Sequence, residues 1–362
     1  MRVRILHAAD LHLDAAFEGL SPEKAAERRR EQRELPGRIA AEARRVGADL
    51  VLLAGDILDT QHPYPETLEA LAAAMRSLTI PVFIALGNHD YYSQRSPWAR
   101  LSLPDNVRVF TSSTLERVAL PSLGAAVWGA GYTSNACAPL LRGFHAPESD
   151  ALDLLTLHAE VGRASSPYCP VTEEELAGSG FAYAALGHVH TYSGLRWAGG
   201  CAYAWPGCAA GRGFDECGEK GVILAEVSKE DTKLTFLPLH AREYREKTVL
   251  VDKDALRSIH AALPADAARH IYRITLTGQT PNAPALDALR AAMEDEVYDL
   301  TLLDETSRPE DIWTRMNEDT LRGGFLRRMR ALFDEADERE RATILEALRL
   351  GLAALDGREE PK

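Results

Sequence analysis

The sequence predicts an α/β fold: a two-sheet α/β sandwich, followed by a small αβ unit and a C-terminal helical segment. Three observations lead there. Short apolar runs alternate with helical stretches through the first hundred residues, the later runs come without intervening helices, and the rhythm changes near Arg242. Val3 to Ala9, Leu50 to Ala54 and Val82 to Leu86 are strand-length apolar runs, separated by predicted helices at about Glu23 to Val46 and Glu66 to Leu78. Such alternation marks βαβ units and a largely buried sheet. From Asn106 the runs VRVF, LERVAL, AAVWGA, DLLTLH, YAALG, GVILAEV and KLTFLPL predict a second sheet packed near the first. Residues 1–240 form this predicted core and 241–305 a small αβ unit, with a helix from Ala285 to Met293. Residues 306–362 form the helical segment. There, Leu321, Phe325, Met329 and Leu332 mark one apolar stripe, and Ile344, Leu348, Leu352 and Leu355 mark another.

The chain of 362 residues is long enough to bury a substantial core, and its 46% hydrophobic and 26% charged content is that of a globular protein. No apolar run approaches the roughly 20 residues that span a bilayer, and the opening MRVRILHAADLHLD lacks a signal-peptide apolar region, so a cytoplasmic protein without membrane association is expected. Five cysteines, with no CxxC pair, predict free thiols rather than disulfides or a structural zinc. The formal charge of −13 argues against a large DNA-wrapping surface, though not against a narrow groove.

Five polar clusters each follow an apolar run: ADLHLD (Asp10, His12), AGDILD (Asp56), LGNHD (Asn88, His89, Asp90), TLH (His158) and LGHVH (His188, His190). In open α/β sheets ligands bind beyond the carboxyl ends of strands, so these clusters should converge on one site. Carboxylate and amide oxygens with imidazole nitrogens suit Mn²⁺, Fe²⁺ or Zn²⁺. Seven ligands are too many for one tetrahedral ion and suit two ions sharing a carboxylate. Gly55, Gly87 and Gly187 each precede a ligand and are predicted to permit the tight strand-to-loop turn that aims it.

The order D-x-H, G-D-x-x-D, G-N-H-D, a lone His and G-H-x-H resembles the calcineurin-like metallophosphoesterase family. The resemblance implies that Asp10, His12 and His190 hold one metal ion, that Asn88, His158 and His188 hold the second, and that Asp56 bridges them. It further implies that His89 faces the scissile phosphate, with Asp90 orienting its imidazole. Beyond the motifs, ILHAADLHLD, LPDNVRVF and GRGFDECGEKGVILAEV resemble the DNA repair exonuclease branch, comprising the SbcD nuclease subunit and the YhaO proteins. That branch implies a Mn²⁺-dependent nuclease, a homodimer, a capping domain at about 241–305 and C-terminal helices that dock on an SMC-like ATPase. A small-molecule phosphodiesterase or phosphatase, favoured by the acidity, is the alternative; a non-catalytic scaffold is a third reading, disfavoured by the complete ligand set.

Other residues are expected in quieter roles. Asp59 is either a partner of a ligand or a loop carboxylate; archaeal and eukaryotic relatives carry a histidine there. His7 and Asp14 are expected to be structural. Tyr91 and Tyr92 pack the loop or stack on a base. Arg28, Arg29, Arg30 and Arg33, interleaved with Glu27, Glu31 and Glu34, predict a solvated helix face. The tail stripes either bind a partner or pack on this chain or its copy.

Overall fold

Residues two apart on a strand share a face. In Val3–Ala8, Val3 and Ile5 enter one buried cluster while Leu6 and Ala8 enter another. Leu50 and Leu52 separate from Val51 and Leu53 in the same way along Leu50–Ala54, as Phe83 does from Val82 and Ile84 along Val82–Ala85. Strands buried on both faces read as continuous apolar runs because each face meets its own layer.

The computed structural model describes residues 2–252, 254–308 and 312–357. Its first sheet runs Thr232–Pro238, Gly221–Val227, Val3–Ala8, Leu50–Ala54, Val82–Ala85, Val107–Phe110 in spatial order. The last four are parallel, in register with Ile5 opposite Leu50 and Val51 opposite Val82, and the first two are antiparallel. The second sheet runs Arg196–Ala198, Cys201–Ala204, Tyr183–Gly187, Leu152–His158, Ala125–Gly129, Glu116–Leu120. Its four inner strands are parallel and its edges antiparallel. Ile5, Leu52 and Phe83 share one apolar cluster with Val127, Leu154 and Tyr183 of the second sheet. The fold is the predicted α/β sandwich.

Three runs expected in the second sheet belong to the first. Val107–Phe110 pairs with Val82–Ala85, while Gly221–Val227 and Thr232–Pro238 extend the opposite edge beside Val3–Ala8. The lack of a helix before a run does not say which sheet it joins: a crossover needs only length, and an antiparallel hairpin can cover any open edge. The predicted helix at 23–46 is two helices, Pro22–Arg33 and Leu35–Arg45. Pro36, with no N–H and a ring that collides with the preceding turn, is tolerated only in the first turn of a new helix. Leu35, Ile39 and Ala43 then pack with Leu71 and Met75 of Pro65–Arg76 over the outer face of the first sheet. The predicted basic face is not solvated throughout. The Arg28 side chain is only 1% exposed, Arg29 bonds the Ala16 carbonyl, and Arg33 bonds Thr67.

The chain divides into two compact units. One takes the chain up to Lys247 together with Leu263–Thr275 and Arg290–Leu303; the other takes Thr248–Ala262, Leu276–Leu289 and the chain from Asp304 onward. Tyr244–Leu250, Ile271–Thr277 and Asp299–Asp304 form a three-stranded sheet in that order. In the second unit the helices Leu321–Glu335 and Glu338–Leu355 pack on each other through Leu326, Leu348 and Leu352. The first stripe is therefore displaced: Leu326 replaces Leu321 and Leu332, which are exposed, as is Leu355. Capping by Thr320 starts the helix at Leu321, on the first turn, where its side chain points to solvent. Pro309 and residues 358–362 of the predicted tail lie outside the described residues. Among the described residues no helix is long and apolar enough to cross a membrane.

Candidate metal centre

Every predicted ligand sits at or just beyond the carboxyl end of an inner parallel strand. Asp10 and His12 follow Val3–Ala8, Asp56 follows Leu50–Ala54, and Asn88 follows Val82–Ala85. His158 ends Leu152–His158, and His188 and His190 follow Tyr183–Gly187. Both sheets thus deliver side chains to one edge of the sandwich. The backbone is bent to do so: Asp10, His12, Asp56 and His188 have φ of 52°, 45°, 50° and 99°. Non-glycine residues in this region are uncommon, and such strain, about 1–3 kcal/mol each, collects at functional sites.

The glycines serve more than one purpose. Gly55 has the positive φ of a tight turn, as expected. At Gly87 and Gly187 close approach decides instead, since a Cβ would land on the Asp56 carboxylate and on the Ala54 carbonyl oxygen respectively.

The candidate ligand atoms converge on one another. His12 Nε2 lies 3.3 Å from His190 Nε2 and 3.7 Å from Asp56 Oδ2, and His190 Nε2 lies 3.9 Å from Asp10 Oδ1. His158 Nε2 lies 3.0 Å from Asn88 Oδ1 and 3.4 Å from Asp56 Oδ2. Three groups, namely Asp10–His12–His190, His12–Asp56–His89 and Asp10–Asp56–His158, each bring their ligand atoms within 4.8 Å. Three imidazoles are locked from behind so that Nε2 faces the site. His12 Nδ1 meets Asp59 Oδ1 at 2.8 Å, His158 Nδ1 donates to the Ala54 carbonyl at 3.0 Å, and His190 Nδ1 meets Glu216 Oε1 at 2.7 Å. A carboxylate or carbonyl behind a histidine sets its tautomer and orientation for a metal. His188 is set differently. Its ring packs 5.1 Å from that of His158, its Nε2 lies 3.8 Å from Glu160, and it joins none of the three groups.

The electrostatics fit a cation. Burial opposes a charge on His158, yet Asp56 and Asp10 raise its pKa to about 9, so the buried carboxylates favour positive charge beside them. Burial also raises the pKa of Asp10, while that of Asp56, against the same burial, is lowered by the surrounding histidines, His158 first. Oxygen and imidazole donors crowded around buried carboxylates match borderline divalent ions.

Asp59 takes one of its two expected roles, and Asp90 departs from expectation. Asp59 is a partner of ligands: beyond His12, its Oδ1 accepts from Arg212 Nη1 at 3.1 Å and lies 3.6 Å from His89 Nδ1. Asp90 does not orient His89. It is buried, and its oxygens accept from the amides of Ile57 (3.0 Å), Leu58 (3.2 Å) and Gly87 (2.8 Å). The His89 ring instead has Nδ1 3.3 Å from the Asp59 carbonyl, and its side chain is 42% exposed. A residue adjacent in sequence to His89 points inward because the loop needs an acceptor for three amides. Asp90→Ala should therefore destabilise the fold by on the order of 3 kcal/mol or more, as three buried donors lose their acceptor. An unfolding temperature within a degree of wild type would refute this.

Arg212 and Glu216 were not identified from the sequence. Arg212 joins Glu216 (2.6 Å), Asp59 and His190 into one network. Their i, i+4 spacing in GRGFDE was the available signal, but nothing local shows that it folds behind His190. His7 bonds Tyr183 and the Leu186 carbonyl, with burial lowering its pKa to about 3; Asp14 accepts from Tyr64 and Thr67. Both are structural as predicted. Tyr91 and Tyr92 pack against the two cores. All five cysteines are free, and among the described residues no metal-capable group contains one.

The sequence pattern of the calcineurin-like phosphoesterases matches residues 3–192, which contain all seven predicted ligands. The chain belongs to that family. Its members use a dinuclear divalent metal site, and the residues gathered here can supply one; the protein is a metal-dependent phosphoester hydrolase. The chain is 28% identical over 376 residues to the "Uncharacterized metallophosphoesterase YhaO" of Bacillus subtilis (strain 168), covering 95% of this chain and 89% of that protein. Among solved structures, TT1561 of Thermus thermophilus overlaps 65% of this chain and 99% of its own, at 11% identity and a TM-score of 0.38.

Proposed function

We propose that this hydrolase cleaves phosphodiester bonds in DNA, with Mn²⁺ at the centre, as a cytoplasmic homodimeric nuclease that works with an SMC-like ATPase. The observation that carries the reading is the open site: the side chains of His89 and His190 are 42% and 30% exposed at the sandwich edge. An extended polymer can lie across such an edge, whereas small ligands are mostly buried in pockets of roughly 300–1,000 Å³. The flanking resemblance to the DNA repair exonucleases supports the same substrate. The exposed Leu321, Leu332, Leu350 and Leu355 of the tail helices supply apolar anchors of the kind that helix-in-groove docking uses.

In this reading Asp10, His12 and His190 would hold one ion, Asn88, His158 and His188 the other, and Asp56 would serve both. Such ions, when bound, would polarise the phosphoryl oxygens and lower the pKa of an attacking water. His89, anchored through Nδ1 at Asp59, presents Nε2 to the leaving oxygen and protonates it. Asp59, itself held by Arg212, keeps both His12 and His89 in place.

The net charge of −13 favours a second reading, a small phosphodiester or nucleotide substrate. A labelled duplex and a chromogenic phosphodiester, each incubated with Mn²⁺, separate the two. Cleavage of the duplex is expected; turnover of the small ester alone, with the duplex whole even beside the ATPase, would defeat the nuclease reading.

A further inference from the structure

A cavity of about 140 Å³ lies in the first compact unit, and none of the strand-end ligands lines it. Four guanidiniums do: Arg28, Arg38, Arg242 and Arg269, with Glu31 as the one carboxylate among the lining residues. Arg28 and Arg242 share Glu31, and Arg242 also has Glu27 at 3.7 Å. Arg38 pairs with Glu34, whose side chain is 63% exposed and therefore well screened. Among the described residues the Arg269 side chain bonds only the His240 carbonyl, at 3.2 Å. Positive charge is in excess around this small space, inside a chain that is acidic overall.

Two buried polar atoms of the lining residues have no partner among the described residues. Arg28 is 1% exposed and its Nε bonds nothing; Gln32 is 1% exposed, donates its amide to the His12 carbonyl at 3.0 Å, and leaves Oε1 unpaired. Buried polar atoms are overwhelmingly paired, so an orphan donor and an orphan acceptor on residues lining one cavity call for an occupant that both accepts and donates. Water meets that condition but brings no charge to the guanidiniums. Hydrogen phosphate meets both. Sulfate and a backbone phosphodiester lack the proton that Gln32 would accept, and the volume is below the roughly 300–1,000 Å³ of pockets that hold larger ligands.

We infer that the cavity binds a protonated tetrahedral oxyanion of the phosphate class, either free hydrogen phosphate or a terminal phosphomonoester. Arg28 Nε donates to it, Gln32 Oε1 accepts the hydrogen bond of its P–O–H group, and Arg38 and Arg269 complete the charge. The site touches the metal centre's framework at two points. Gln32 holds the His12 carbonyl, and Arg28 Nη2 donates at 3.1 Å to the carbonyl of Gly211, next to Arg212. The inference does not depend on DNA being the substrate.

The test uses the full chain stripped of metal by a chelator, so that ions at the centre do not hold the probe. Calorimetric titration should show one saturable inorganic phosphate site, at least tenfold tighter for phosphate than for sulfate. Arg38→Gln combined with Arg269→Gln should weaken binding at least tenfold, with the unfolding temperature unchanged in the absence of phosphate. No saturable phosphate binding, equal affinity for sulfate, or undiminished binding by the double variant would each overturn the site. Competition then identifies the source. Displacement of phosphate by a 5′-phosphorylated oligonucleotide alone assigns a terminal monoester, and displacement by neither oligonucleotide assigns free phosphate. Equal displacement by its 5′-hydroxyl counterpart would show that no proton is read, and would refute the assignment.

Discussion

Asp56→Asn is expected to empty both metal positions and abolish nearly all turnover. Asp56, like Asp10, belongs to two of the three ligand groups, and its Oδ2 lies between two imidazoles, at 3.7 Å from His12 Nε2 and 3.4 Å from His158 Nε2. The amide keeps the size and an oxygen to accept the His89 N–H, now at 3.0 Å from Oδ1, so the loop should survive. What disappears is one negative charge shared by two cations. Loss of a partner outside the ligand set typically costs about 10–100-fold in metal affinity, and loss of the shared ligand should exceed that. Metal ions contribute several kcal/mol to a phosphoryl transition state, so activity should fall about 10³-fold or more. Elemental analysis after desalting checks the first claim and steady-state kinetics the second. Two tightly held ions in the variant would show that Asp56 is not the shared ligand.

His89→Ala should have the opposite signature: both ions retained, turnover lost. His89 is the most exposed histidine of the site, and its imidazole is held through Nδ1 at the Asp59 carbonyl. Removing a general acid costs about 10²–10⁴-fold. The deficit should shrink for esters whose leaving group needs no proton, such as aryl phosphodiesters, because the step His89 assists no longer limits the rate. The stability change should be within about 0.5 kcal/mol, as for most exposed substitutions. Because His89 also lies within 4.8 Å of His12 and Asp56 ligand atoms, metal content is the deciding measurement. Loss of an ion in His89→Ala would make it a ligand.

The placement of the ligands was legible because strand ends are local features. Apolar runs announce where Leu50–Ala54 or Tyr183–Gly187 stops, and in a parallel sheet the polar residues just beyond must share one edge. The three runs assigned to the wrong sheet show the limit of that reading. One of the two strands that GVILAEV pairs with, Val3–Ala8, lies more than two hundred residues away, and neither segment encodes the other's address.

The roles behind the ligands were legible only in part for the same reason. Asp90 stands next to His89, yet its carboxylate serves amides of a different loop; Asp59, thirty residues earlier, is what His89 meets. Glu216 reaches His190 and Arg28 sinks to 1% exposure only through contacts across the fold. The sequence by itself determined the family, the strand-end placement of the seven candidate ligands and the sandwich, since these follow from short motifs and the period-two burial of strands. Only the tertiary structure decided which carboxylates support which histidines, and that one arginine of an ordinary-looking charged helix lines a cavity. Hydrogen bonds and ion pairs between distant segments are set by packing, and packing is not written in any local stretch of the chain.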